Sequence, residues 1–343
     1  MRSTKLRSSI ERLLGAGAVA PPPYAFGCSD AALSFAAFGR EDGALVLREY
    51  RREALEPGTF QHGLLGGPPR DPRALDERIA ELVASLGAPV KEAALVVPDA
   101  WLRTAFAEVE DIPANGAGRE EVLRWKLKRL VPFRVDELRV RAVEVTPLAG
   151  QEEARRLLLG FGIESLLAQL ERSFEAAGVH LGRISNRGLA ALGALAAPAN
   201  EAGGEGVLRG LVLAADDGYT VVFARRGPGG EEPVLHRFKA FAETLPRDAR
   251  AAAVRRDLRL TRLFLADQYP NHRLGALVLA APEGAAATWA EWLEGGLEHP
   301  VTLADDAPVV AVRQPRDGAG APAPPPWPEL LPLAGTVRQE VAG

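Results

Sequence analysis

Cysteine is almost absent: Cys28 is the single one among 343 residues, so no internal disulfide can close and no cysteine-based structural zinc site can form. A reducing compartment is the simpler expectation. Long apolar runs are lacking as well. The best stretch, residues 188–197, ends at Pro198 and falls short of the roughly 18 to 20 residues a membrane helix needs, so the chain is expected to be soluble. Excess positive charge is missing too, with 41 Lys and Arg against 45 Asp and Glu and a net charge of −4. That removes any general electrostatic reason to bind nucleic acid or acidic lipid; such binding would have to be local. The histidines, His62, His180, His236, His272 and His299, are scattered, with none at metal-ligand spacing, so they read as surface or half-buried groups and no metal site is expected. No G-x-S-x-G elbow or P-loop occurs, and Gly160-Phe161-Gly162 is too short a glycine pattern for a dinucleotide site.

What is present is ample apolar material, 47% of the residues, in a length that suits two or three domains. A basic start followed by L-L-G-A-G-A-V-A imitates a signal peptide, but Glu11 and Arg12 abut its short apolar core and Pro21 follows directly. Residues 1–23 therefore read as an extension, with Ile10, Leu13 and Leu14 at helical spacing. Residues 24–38 and 44–50 then read as two strands of a meander. Residues 71–86 form a helix on Leu75, Ile79, Leu82 and Leu86, and residues 92–97 a short buried strand. A second set of strands and helices follows, with a glycine-rich joint at 200–206, a hairpin at 208–225 and a helix at 248–269. Asp216-Asp217 reads as a turn rather than a metal or acid/base pair, because adjacent strand residues point to opposite faces. The basic residues Arg255, Arg256, Arg259 and Arg262 read as a solvated helix face. From about Pro315 the chain is rich in proline and alanine, with an apolar island at 327–333 that reads as a linker carrying a docking segment; the other reading is that Leu330 to Leu333 pack back on the body. Each half opens on a meander and closes on alternating helices and strands, a pseudo-repeated α/β plan.

The organising stretch is residues 120–137, E-E-V-L-R-W-K-L-K-R-L-V-P-F-R-V-D-E. At 100° per residue Leu123, Leu127 and Leu130 gather on one face, which reads as core, while Arg124, Lys128 and Arg129 point elsewhere. Trp125 falls almost opposite the leucines, so burying it needs a second surface. Pro132 ends the helix and Phe133 starts an extended exit. Nothing in it is catalytic.

This piece, a charged helix with a tryptophan leading into V-P-F, resembles a segment of the PilM family of type IV pilus assembly proteins. The order of elements over residues 24–304 is similar as well. The resemblance implies the actin-like (ribonuclease H-like) duplicated fold, related to FtsA and to the cytoplasmic part of GspL, with an inserted small α+β subdomain and a reduced second half. Its implied division is 24–91 plus 151–199 for the first half, 92–150 for the insert, 200–312 for the second half and 313–343 for the tail. The family's nucleotide loops, laid on this sequence, are degraded. The first, D-I-G-S-S-S-I-K, becomes Gly27-Cys28-Ser29-Asp30-Ala31-Ala32-Leu33-Ser34: Gly27 replaces the magnesium aspartate, Ser34 the lysine, and Asp30 puts a carboxylate where phosphate would lie. The second falls on Ala214-Ala215-Asp216-Asp217-Gly218-Tyr219-Thr220, losing its leading aspartate at Ala214 and gaining carboxylates at Asp216 and Asp217. The adenosine loop meets Pro282 and Glu283, which bring bulk and charge where close backbone approach is wanted.

The resemblance thus implies a pseudo-ATPase with no ATP or magnesium: a non-catalytic cytoplasmic adapter of the inner-membrane platform of a type IV pilus or type II secretion-like system. Its implied partner is the N-terminal tail of a PilN-like membrane protein, captured in a groove between the insert and the first half, with contact to the membrane only through that partner. Trp125, Leu130, Pro132 and Phe133, with Arg129 and Arg134 as polar contacts, carry over as the partner-binding set, and Trp125→Ala is expected to weaken capture without lowering Tm. Two alternatives stand beside it: an active actin-like ATPase or kinase with divergent loops, and a polymerising, self-associating scaffold of the FtsA type docking through residues 327–333 or the N-terminal extension.

Overall fold

The computed structural model describes residues 23–41, 44–113, 116–132, 134–148, 153–195, 206–227, 230–242, 244–305, 312–313 and 325–338. Residues 1–22 of the N-terminal extension, residues 200–205 of the glycine-rich joint and Phe133 lie outside them. Strands β1 (Tyr24–Cys28), β2 (Ala32–Glu41) and β3 (Ala44–Ala54) form the meander. Helix α1 (Pro72–Ala84) starts where its periodicity says, with the Asp71 carboxylate accepting from the amides of Arg73 and Ala74 and proline in the first turn; Leu75, Ile79 and Leu82 are buried. Then come β4 (Glu92–Val97), β5 (Arg103–Val109), α2 (Gly116–Leu130), β6 (Leu138–Val145), β7 (Arg155–Ile163), α3 (Glu164–Ala176), β8 (His180–Asn186) and α4 (Arg187–Leu192). The second half holds β9 (Val207–Ala215), β10 (Gly218–Gly227), β11 (Gly230–Ala240), α5 (Arg247–Gln268), β12 (Arg273–Ala280), α6 (Ala286–Leu297) and β13 (Thr302–Leu303). Two further elements, β14 (Val312–Arg313) and α7 (Trp327–Arg338), close the described chain.

The two large sheets are copies of one plan. In the first the order is β14-β3-β2-β1-β4-β8, and in the second β11-β10-β9-β12-β13. Each has an antiparallel meander whose first strand pairs parallel with a later one, which pairs parallel with a last. This is the duplicated actin-like fold. Parallel pairing needs crossover helices that cover the sheet faces, so β9 is buried along almost its whole length. Helices α1 and α3 pack on the outer face of the first sheet. Helices α5 and α6 do the same on the second, with Trp289 and Trp292 in that core. Between the sheets α4 and α7 join one apolar core drawn from both halves. Only residues 241–246 connect β11 to α5, which is the reduction of the second half that the sequence implied.

The domain boundaries are shifted from the sequence reading. Strand β4 pairs with β1 and β8 in the first sheet, not with the insert, and β7 pairs with β5 and β6 in the insert, not with the first half. The cause is that β4 and β7 are both almost wholly apolar, so composition cannot say which sheet either one joins. The inserted sheet has the order β5-β7-β6. The end of the chain is corrected as well. Residues 327–333 are no free docking segment: Leu330, Leu331 and Leu333 are buried in the central core and β14 pairs with β3 of the first sheet. Helix α7 is anchored by Tyr50 donating to Glu329 (2.5 Å), by Arg187 donating to the Pro328 carbonyl (2.8 Å) and by Trp327 bonded to Asp305. It crosses α4 at glycines: a Cβ on Gly335 would run into the Ala190 carbonyl, and one on Gly193 would sit 2.6 Å from the Gly335 carbonyl. Only bare backbone fits there.

Candidate functional site

Two crevices follow from this plan. The first lies between the halves; the β1–β2 and β9–β10 turns hold corresponding places in the two sheets. Gly27 pairs with Ser34 across the first hairpin, and a Cβ on Gly27 would meet the Ser34 side chain and then Leu333 of α7 at 3.6 Å. The magnesium aspartate of the family pattern would therefore abut a leucine. Asp30 is an exposed turn residue, and the Ser29 hydroxyl takes the Ala31 and Ala32 amides (3.3 and 3.1 Å), so those donors are turned inward on their own loop. Asp216 and Asp217 form the exposed β9–β10 turn, with Ala214 buried behind them. The Asp216 carbonyl accepts from Arg250 (2.9 Å). Pro282 and Glu283 lie in the turn between β12 and α6, and the Pro282 carbonyl accepts the Ala285 amide (3.1 Å).

At the same end of the sheets a buried polar network spans the crevice. Asp99 follows β4, and its carboxylate accepts the Gly188 amide at 3.0 Å, the Thr220 hydroxyl at 2.9 Å and His236 Nε2 at 2.8 Å. His236 Nδ1 meets the Thr104 hydroxyl at 2.8 Å. The four side chains come from β10, β11, the insert and the first half, and Asp99 and His236 are each 3% exposed. Burial alone raises a carboxyl's pKa, but the bonds from His236 and Gly188 and the charge of Arg187 outweigh it and hold Asp99 below the usual carboxylate range. Sequence reading missed this network and placed His236 among surface or half-buried groups. Its partners are 89 to 137 residues apart along the chain, so no local pattern could reveal it.

The second crevice is a groove of about 470 Å³ between the inserted sheet and the first half. One wall is a face of the insert, with Thr104, Arg141, Val143, Leu158 and Gly160; the other is α3 and β8. All of residues 181–186 line it, so β8 presents its edge, not one face, and among the described residues β8 is the end strand of its sheet. On the other side β6 is the end strand of the inserted sheet. Arg139 of β6 closes one end, donating to Glu164 (2.8 and 2.7 Å) and Glu171 (2.6 and 2.8 Å) on α3. These bonds, Glu164's first, hold its guanidinium pKa above the usual value. At the other end Asn186 donates to the Leu102 carbonyl at 2.9 Å, beside Thr104. Gly160 leaves open space: a Cβ there would meet nothing within 4 Å.

The partner-binding set read from the sequence lies elsewhere. Helix α2 covers the opposite face of the inserted sheet, with Leu123 and Leu127 buried against Val140, Leu157, Leu159 and Phe161. Strand alternation sends Leu157 and Leu159 to α2 and Leu158 and Gly160 to the groove. Trp125, Arg129, Leu130, Pro132 and Arg134 are therefore outside the groove, and all five are exposed. Leu130 does not complete the core stripe: it is 49% exposed, because the helix ends at that residue and Pro132 turns the chain away. Trp125 is 52% exposed, under Arg129 at 5.0 Å and Lys126 at 5.3 Å.

No protein-family model and no curated protein matches the sequence. Solved structures do match. A chain of a PilM-PilN type IV pilus biogenesis complex superposes with a TM-score of 0.67 at 16% identity, covering 94% of this chain and 98% of that one. The cytoplasmic domain of EpsL, an inner-membrane component of the type II secretion system of Vibrio cholerae, follows at 0.45 and 11% identity, covering 93% and 94%. The first likeness is one of fold: over almost its full length this chain has the actin-like architecture found in that pilus biogenesis complex. Its fold is PilM-like, as the motif at residues 120–135 implied.

Proposed function

We propose that this chain is a non-catalytic cytoplasmic adapter of a pilus or secretion assembly platform, which holds the short N-terminal tail of a PilN-like membrane protein in the groove beside β8. The observation that carries this reading is the groove itself. An extended peptide entering it meets the outer edge of β8 on one side and a face of the inserted sheet on the other, and adding a strand to β8 extends the first sheet by main-chain hydrogen bonds. Apolar walls from Leu158, Leu167, Leu181 and Ile184 suit alternate apolar side chains of such a strand, and Arg141 lies at the rim. Two further points support the non-catalytic half. A leucine abuts the position where the family pattern has its magnesium aspartate, and the crevice between the halves is spanned by the Asp99 network.

The test is calorimetric titration with the N-terminal tail peptide of a PilN-like membrane protein. Gly160→Trp fills the groove without a clash at Cβ and is expected to weaken binding at least tenfold, whereas Trp125→Ala leaves it unchanged. Wild-type affinity in Gly160→Trp removes the groove reading. Micromolar binding of Mg-ATP in the same instrument would remove the non-catalytic one and favour an active ATPase.

A further inference from the structure

The outer face of α2 has a chemistry that neither the groove nor the core explains. The chain is acidic overall, yet this helix carries Arg119, Arg124, Lys126, Lys128 and Arg129 against Glu120 and Glu121. Arg124 is paired with Glu120 (2.8 Å), and Glu121 lies one turn before Trp125. Among the described residues, Lys126, Lys128 and Arg129 join no ion pair with an acidic group. They surround Trp125, and Leu130 lies half exposed at the helix end.

We propose that this face is a contact for an anionic phospholipid surface. Three arguments favour that occupant. The face is a convex helix side, whereas peptides dock in grooves or on strand edges, and a flat deformable interface fits a convex surface. Trp125 has the amphipathic ring that settles at headgroup depth, and the long stems of Lys126, Lys128 and Arg129 let apolar atoms sit low while the charges reach the phosphates. A second copy of the chain is disfavoured, because packing this face on itself sets the same cations against one another. Each cation held at an anionic bilayer strengthens binding about fivefold, so three of them with one tryptophan make a weak, salt-sensitive contact. It acts as the second of two attachments where a membrane partner supplies the first. It stands on the α2 surface alone and is independent of what fills the groove.

The experiment is co-sedimentation of the full chain, without partner, with vesicles of phosphatidylglycerol and phosphatidylethanolamine or of phosphatidylcholine alone. Expected is binding to the anionic vesicles only, lost in high salt, weakened about a hundredfold or more in a Lys126→Glu, Lys128→Glu, Arg129→Glu variant, and weakened severalfold in Trp125→Ala. Brominated phospholipid is expected to quench the wild-type tryptophan signal more than that of Trp125→Phe, because Trp101, Trp289 and Trp292 are buried. All substituted positions are on the surface, so a melting curve verifies that each variant is folded. Unchanged binding by the charge-reversed variant overturns the proposal, as does absence of binding by the wild type. Capture of polyglutamate in place of vesicles would overturn it too and assign the face to an acidic protein segment. Gly160→Trp is expected to bind vesicles normally, so failure of the groove reading and failure of this one are separable.

Discussion

The crevice between the halves and the groove beside β8 are both seams between sheets, yet they are finished in opposite ways. Between the halves, α4 and α7 supply small and apolar side chains, the helices meet at Gly193 and Gly335, and Asp99, His236 and Thr220 tie the rim together. In the groove the edge of β8 faces the inserted sheet across open space, with Arg139 bridging the walls at one end and Asn186 at the other. A seam filled by core and hydrogen bonds holds the body together. One left open beside a sheet edge has room for a strand from elsewhere. What distinguishes them is where the chain has spent its polar and glycine residues, and those positions are where the contrast can be broken.

The largest effect is expected at glycine. Gly335→Ala puts a methyl into the Ala190 carbonyl and should lower stability by more than about 3 kcal/mol in chemical denaturation. The same change at Gly160, which faces open groove, should cost less than about 0.5 kcal/mol or add stability, as side chains do in strands. Equal costs at the two positions would mean that the crevices do not differ as described. Next comes the polar network. Asp99→Asn removes the charge that His236 and Gly188 bond, and should cost about 3 kcal/mol at pH 7. Because the folded-state pKa of Asp99 lies below its ordinary value of 3.8, its stabilisation is fully present above that value and is lost as pH falls through the lower one. The gap between wild type and Asp99→Asn should therefore narrow below about pH 4, and a gap independent of pH would show that ionisation is not what the network uses. Smallest is Trp125→Ala, on a face that belongs to neither crevice: a stability change within about 0.5 kcal/mol is expected from a thermal melt. A loss of several kcal/mol would make Trp125 core despite its exposure.

Much of the architecture was legible because it depends on short-range periodicity. Helix α1 announced itself by the Leu75, Ile79, Leu82 and Leu86 spacing, and the repeated meanders by alternating runs between turn residues. The site was only half legible. The groove's general place came with the resemblance, but the residues assigned to it did not line it. A helix packed on a three-stranded sheet can cover either face, and nothing in residues 116–134 says which. The same limit misplaced β4 and β7, whose apolar runs fit any buried sheet.

By itself the sequence determined the element order, the presence of Gly27, Ser34 and Ala214 where the resemblance implies nucleotide-loop groups, and a helix whose tryptophan has no place in its own core. These are properties of neighbours along the chain and of single side chains. The tertiary structure alone decided that residues 327–338 are core, that Asp99 and His236 meet across the halves, and that the open groove lies on the far side of the inserted sheet from Trp125. Each of these depends on which face of one element rests on another, a choice made by packing among segments distant along the chain and not by neighbours in sequence.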